Sequence, residues 1–193
     1  MRTPKLIVLG ASAGGVAAIN SLLGLLPERF PIPLAAVLHL PANARVDMRM
    51  VFGRHTSQKV VEIEDKMRIE PGHIYFAPPA YHTLVESDGT FALSQDDPVN
   101  FSRPSIDVFF ESAADAYGTS LVGVILTGAN GDGAKGIRAI QQTGGRTGVQ
   151  HPNEAEVGTM PQEALKLIHP DHTLALPEIA KLLCDLPEGG AHG

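Results

Sequence analysis

Four consecutive apolar residues, Leu6 to Leu9, run into Gly10, show one serine, pass Gly14 and Gly15, and resume as an apolar pattern at helical spacing through Val16, Ile19, Leu22, Leu23 and Leu26. A short apolar run bounded by glycine reads as a strand buried on both faces, which belongs to a parallel sheet covered by helices. Ser12 therefore sits in a tight strand-to-helix turn. Three motifs share that geometry. The dinucleotide fingerprint needs glycine where Ser12 stands and an acidic residue at the end of the next strand, but that strand, LAAVLHL, reaches His39 instead. A P-loop needs Lys and then Ser or Thr after its last glycine, and Val16 and Ala17 follow Gly15. The nucleophile elbow, G-x-S-x-G, presents a serine Oγ above the sheet beside helix N-terminal N–H groups, and Gly10, Ser12 and Gly14 fit it.

The rest of the chain continues the alternation. Strands are expected at Leu34–Leu38, Val60–Ile63, His73–Phe76, Leu121–Leu126, Gly148–Val149 and Leu174–Leu176. Helices are expected at 44–54, Ile106–Ala116 with Ser105 as N-cap, Ala134–Gln142, a segment opened by Pro161 at its first position, and Glu178–Cys184. Thr83–Glu86 and Phe91–Ser94 flank Asp88-Gly89 as a hairpin. The pattern predicts an α/β fold: a doubly wound, mostly parallel sheet with helices on both faces and a short antiparallel hairpin. One domain over 1–185 is expected, followed by an unstructured tail, 186–193.

Bulk properties narrow the function. A net charge of -6, with no run of Lys and Arg, argues against a nucleic-acid partner. No stretch approaches the roughly 20 apolar residues of a membrane helix. Residues 1–12 imitate a signal peptide, but only four apolar residues precede Gly10, so they read as the first strand. The single Cys184, within AKLLCDL, points to packing in a reducing, cytoplasmic setting. The histidines of HPDH at 169–172 flank a helix-breaking proline with no third ligand nearby, so no metal is expected. No cofactor is expected either.

Ligands in open parallel sheets bind at the carboxyl ends of the strands. Ser12 follows the first strand, His39 ends the second, and Asp132 lies in the GANGDG turn after Leu121–Leu126. Each alone has a bland reading, as a turn serine, a buried histidine and a turn aspartate. Together they supply a nucleophile, a base titrating near neutrality and an anion that orients the base. The order Ser, His, Asp differs from that of the α/β-hydrolases, and the elbow comes too early for them.

Six blocks, GASAGG at 10–15, LHLP at 38–41, PGHIYFAP at 71–78, SRPSIDVFF at 102–110, GVILTGANGDGAKG at 123–136 and GTMPQEA at 158–164, resemble the catalytic domain of the chemotaxis methylesterase family, CheB. The resemblance implies Ser12 as nucleophile, His39 as base, Asp132 as orienting acid, and oxyanion donors in the N–H groups of Ala13 and Ala129. It also implies demethylation of γ-glutamyl methyl esters on methyl-accepting chemotaxis receptors, with deamidation of glutamine as a second activity. Arg103 and Asn130 are the candidates for substrate binding. The sequence departs from the family pattern in having Leu38 and Leu40 where Gln and Met are usual, and GANGDG where GMGNDG is common, so that Ala129 replaces methionine and Asn130 and Gly131 are exchanged. Five residues precede the first strand, so the family's receiver domain is expected to be absent or removed, with a separate receiver protein as a candidate partner. Two other readings stand beside the methylesterase: a hydrolase of the same triad acting on another ester or amide, and an inactive binding protein holding an anion at the GASAGG turn.

Overall fold

Strand β1 (Leu6–Ala11) is buried along its whole length. Leu6 and Val8 pack into one hydrophobic core, and Ile7, Leu9 and Ala11 into another on the opposite face. This two-sided burial makes the first apolar run continuous rather than alternating. The structure is a computed structural model that describes residues 4–40 and 46–186. After β1 come α1 (Gly15–Leu25), β2 (Leu34–Leu38), α2 (Met48–Phe52), β3 (Lys59–Glu62), β4 (His73–Phe76), β5 (His82–Val85), β6 (Phe91–Ser94) and α3 (Ile106–Tyr117). The chain continues through β7 (Leu121–Ile125), α4 (Ala134–Gln142), β8 (Arg146–Gln150), α5 (Thr159–Leu167), β9 (His172–Leu174) and α6 (Leu176–Asp185).

Seven strands form a parallel sheet in the order β3-β4-β2-β1-β7-β8-β9. The chain winds outward from β1 in one direction first and in the other after α3, so the switch point lies between β1 and β7. Helices α3, α4 and α5 contribute to the core on one face, while α1, α2 and α6 contribute to the other. The hairpin β5–β6 stands apart from the main sheet and packs Val85 and Phe91 into the first core. Among the described residues no helix is long and apolar enough to cross a membrane.

Several boundaries differ from the sequence reading for local reasons. The 44–54 helix is shorter: Asp47 caps α2 by accepting from the N–H groups of Arg49 and Met50, and residues 44 and 45 lie outside the described residues. Pro161 occupies the third helical position of α5, behind Thr159 and Met160, rather than the first. Strand β9 ends at Leu174 because Ala175 is already the N-cap of α6, its N–H held by the Glu178 carboxylate at 3.0 Å. Leu186, read as the first residue of the tail, is 5% exposed and belongs to the core, while 187–193 lie outside the described residues.

Candidate active site

The backbone ladder runs past the ends of the central strands and fixes where the loops begin. Leu126 N–H donates to Gly10 O (2.9 Å), Ser12 N–H to Thr127 O (3.0 Å) and His39 N–H to Ala11 O (3.0 Å). Thr127, 1% exposed, locks the turn further. Its hydroxyl donates to Ala13 O at 2.9 Å and accepts from Val157 N–H at 2.9 Å, and its own N–H is held by the Gln150 side chain. The Ser12 turn is therefore clamped from β7 and β8, which sequence periodicity does not report.

Ser12 does not cap α1. Gly14 is the N-cap residue, at φ 77°, and among the described residues the Ser12 hydroxyl makes no hydrogen bond. It faces a cleft of about 480 Å³ lined also by His39, Leu40, Arg103 and Asn130. His39 Nε2 lies 2.9 Å from Asp132 Oδ2, with the imidazole partly exposed and the carboxylate buried. The nitrogen left over is Nδ1, and the Asn130 amide approaches it at 3.5 Å while Asn130 Oδ1 accepts from Asp132 N–H at 3.2 Å. Asn130 of the GANGDG turn thus sets its amide against the imidazole nitrogen that Asp132 leaves over. The N–H groups of Ala13 and Ala129 have no acceptor among the described residues.

Asp132 is the best-connected side chain of the site. Oδ1 accepts from Ser105 Oγ (2.8 Å), Asp107 N–H (3.2 Å) and Asn100 Nδ2 (3.2 Å), and Oδ2 from Ile106 N–H (2.6 Å) as well as His39. The carboxylate therefore sits on the first N–H groups of α3, where the helix end carries positive partial charge. Burial pushes its pKa up, but the bonds from His39, Ile106 and Ser105 together outweigh this and hold it below the ordinary aspartate value. Asp107 returns the contact. It is 3% exposed, and its Oδ1 accepts from Gly133 N–H (2.9 Å) and Gly136 N–H (2.8 Å) at the start of α4. Each helix thus begins on a carboxylate supplied by the other's leading segment. Burial raises the Asp107 pKa, aided by the charge of Asp132, against the bonds from Gly136, Gly133 and Asn100. Asn100 Nδ2 bridges the pair, 2.9 Å from Asp107 Oδ2.

Ser105, read from sequence as the N-cap of α3, does cap it by accepting from Val108 N–H at 3.4 Å, and it serves Asp132 as well. Asn100 and Asp107 were not singled out. Only their place in and beside SRPSIDVFF could have pointed to them. Arg103 lines the cleft, but its Nη1 is spent on Gln95 O and Asp96 O, both at 3.0 Å, so it braces the loop that precedes α3.

Two expectations arise from this geometry. Gly133 holds φ 97°, and an added Cβ would lie 2.6 Å from Ile125 Cδ1 and 2.7 Å from Ile106 Cγ2. Gly133→Ala should therefore cost about 1–2 kcal/mol of backbone strain plus about 1–3 kcal/mol of overpacking, read as a lower urea midpoint. The second concerns acid. A depressed folded pKa means that the Asp132 contribution is fully present above the unfolded aspartate value of about 3.9 and is lost as pH falls through the lower folded value. The stability gap between wild type and Asp132→Asn should be full at neutral pH and shrink below about pH 3.9, as measured by urea unfolding across a pH series.

A doubly wound parallel sheet that gathers a serine, a histidine and a buried aspartate at its switch point places the chain among α/β proteins with a hydrolase-type site. The chain belongs to the CheB methylesterase family, whose model matches residues 7–183. A protein of Leptospira interrogans is 44% identical over 182 residues, covering 94% of both chains. The protein-glutamate methylesterase/protein-glutamine glutaminase of Hydrogenovibrio crunogenus is 38% identical over 185 residues, 94% of this chain and 49% of that one. The chain therefore spans about half the length of that relative. The crystal structure of the Thermotoga maritima CheB methylesterase catalytic domain superposes with a TM-score of 0.90 at 29% identity, over 96% of this chain and 100% of that one.

Proposed function

We propose that this chain hydrolyses γ-glutamyl methyl esters on methyl-accepting chemotaxis receptors, in the cytoplasm, through Ser12, His39 and Asp132. The observation that carries this reading is the 2.9 Å contact of His39 Nε2 with a buried, ionised Asp132, in a cleft shared with a Ser12 hydroxyl that is unengaged among the described residues. Asp132 accepts the Nε2–H and so leaves the lone pair on Nδ1, which takes the Ser12 proton as Oγ attacks the ester carbonyl. Negative charge then develops on the carbonyl oxygen, where the N–H groups of Ala13 and Ala129, without an acceptor among the described residues, are candidates to receive it. The Asn130 amide, whose Nδ2 lies 3.5 Å from the same nitrogen, gives way to Ser12 as Nδ1 takes the proton.

Collapse of the tetrahedral intermediate expels methanol, which takes the proton from Nδ1, and leaves a glutamyl ester on Ser12. Water, deprotonated by the same nitrogen, attacks that ester and releases the glutamate carboxylate and the serine. The same steps on glutamine release ammonia, which is the deamidation named for the Hydrogenovibrio relative. A fluorophosphonate probe tests the assignment of the nucleophile. The expected result is one covalent adduct on Ser12, absent in Ser12→Ala; an unlabelled protein would favour an anion-binding role instead.

A further inference from the structure

A phenyl ring held wholly in water by an ordered backbone needs an explanation beyond ordinary surface composition. Phe101 is the extreme case among the described residues, with a relative exposure of 104%. The loop that carries it is anchored on every side. Arg103 binds Gln95 O and Asp96 O; the buried His82 bridges Asp97 O (3.1 Å) and Ser105 N–H (3.2 Å); Val99 and Ser102 exchange N–H···O bonds of 3.1 and 2.9 Å. Asn100 is fastened to both Asp107 and Asp132. At the apex, Asn100 and Phe101 are held at φ 50° and 61°, in the left-handed region that side chains other than glycine disfavour. The fold thus strains its backbone to point an aromatic ring outward.

The ring stands between two depressions. On one side is the cleft with Ser12 and His39, and on the other a groove of about 420 Å³ lined by Ala134, Lys135, Glu163, Lys166 and Leu167 among others, with Asn130 common to both. Leu167 is another of the exposed large apolar residues. The site lies over the middle of the sheet, between β2, β1 and β7, while the free edges are β3 and β9, so no strand edge is offered for backbone pairing at the cleft. A helix satisfies its own backbone and so needs no such edge to dock, which suits it to this cleft.

We infer that Phe101 is a docking ridge for an amphipathic substrate helix, seated between the ester-bearing glutamate in the cleft and an apolar side chain one helical turn away in the Ala134–Leu167 groove. Residues three and four apart on a helix are neighbours at about 5–6 Å, close enough to straddle one ring. Lys166 at the groove is already paired with Glu163 at 2.6 Å, so Lys135 is the cation that favours a helix carrying further glutamates, against a chain whose net charge is -6. The inference rests on the methylesterase reading and specifies how the substrate is chosen.

The test is a double-mutant cycle across the interface. One synthetic helical peptide carries a γ-glutamyl methyl ester with leucines four residues to either side; a second has serines in place of the leucines; p-nitrophenyl acetate serves as an ester without a helix. On the leucine peptide, Phe101→Ala should raise KM about 10- to 100-fold, the worth of burying one aromatic side chain, with kcat within about threefold of wild type. Phe101→Leu should recover most of the loss. On the serine peptide the Phe101→Ala penalty should largely vanish, which is the coupling expected of groups in contact. Additive losses, or an equal loss on p-nitrophenyl acetate, would overturn the docking role. A wild-type protein that cleaves p-nitrophenyl acetate but neither peptide would overturn the methylesterase reading and this inference with it, whereas an active wild type matched by Phe101→Ala overturns the docking role alone.

Discussion

Replacing Ser12 by alanine should abolish methyl ester hydrolysis and leave the fold intact. In subtilisin, loss of the nucleophile lowers kcat by about 10⁶-fold, and the same chemical role predicts a fall to the detection limit. Stability should barely change, because Gly14 rather than Ser12 caps α1 and the hydroxyl holds no hydrogen bond among the described residues. The turn is kept by the backbone bonds to Thr127 O and from Gly15 N–H to Ser12 O, and alanine preserves both. Steady-state kinetics on a methylated protein and a urea unfolding curve check the two halves separately. Turnover above a tenth of wild type would remove Ser12 from the chemistry.

The second large effect belongs to Asp132→Asn, where loss of rate and loss of stability come from the same atoms. If the new amide nitrogen takes the Oδ2 place, it donates to His39 Nε2 and forces the proton onto Nδ1, the nitrogen needed as base. The analogous change in the serine-protease example costs about 10⁴ in kcat. In that orientation the Ile106 N–H, 2.6 Å from Oδ2, meets a donor instead of an acceptor. If the amide turns over, Asp107 N–H and Asn100 Nδ2 lose their acceptor instead. Either way a buried donor is left unsatisfied, at about 1–3 kcal/mol. The expected result is a drop of about 10⁴ in kcat/KM with a measurably lower urea midpoint. A loss under tenfold would mean that another group orients His39.

The parts of this account that were legible in the sequence are those that one segment decides alone. Leu34–Leu38 and Ala134–Gln142 have the predicted bounds because an apolar run and an amphipathic repeat are local signals. The placement of Ser12, His39 and Asp132 on one rim was legible because parallel strands carry the residues after them to the same end of the sheet. Strand β8 was half hidden: Arg146-Thr147-Gly148 does not read as core. Thr147 is nonetheless 1% exposed, and the Asp171 carboxylate accepts from its N–H at 2.7 Å and its hydroxyl at 3.1 Å. Its partner lies 24 residues away, so no window along the chain reveals that its polarity is satisfied.

The same holds for the support of the site. The exchange of carboxylates between α3 and α4 depends on how closely those helices approach, and Gly136 permits that approach, since a Cβ there would lie 2.6 Å from Phe110 Cβ. Sequence reading placed Arg103 toward substrate; in the fold it lines the cleft while its Nη1 braces Gln95 and Asp96, and the most exposed side chain of the loop is Phe101.

The central claim is that Ser12, activated by His39 and Asp132, removes the methyl group from a protein glutamyl ester. Its most direct measurement is methanol release from methylated chemotaxis receptor membranes, followed in parallel with wild type, Ser12→Ala and Asp132→Asn. The account predicts methanol in equal amount to the glutamyl carboxylates formed on the receptor with wild type, no methanol above background with Ser12→Ala, and a rate lowered by about 10⁴ with Asp132→Asn. Equal methanol release by wild type and Ser12→Ala, or none from wild type that still labels with a fluorophosphonate, would contradict it.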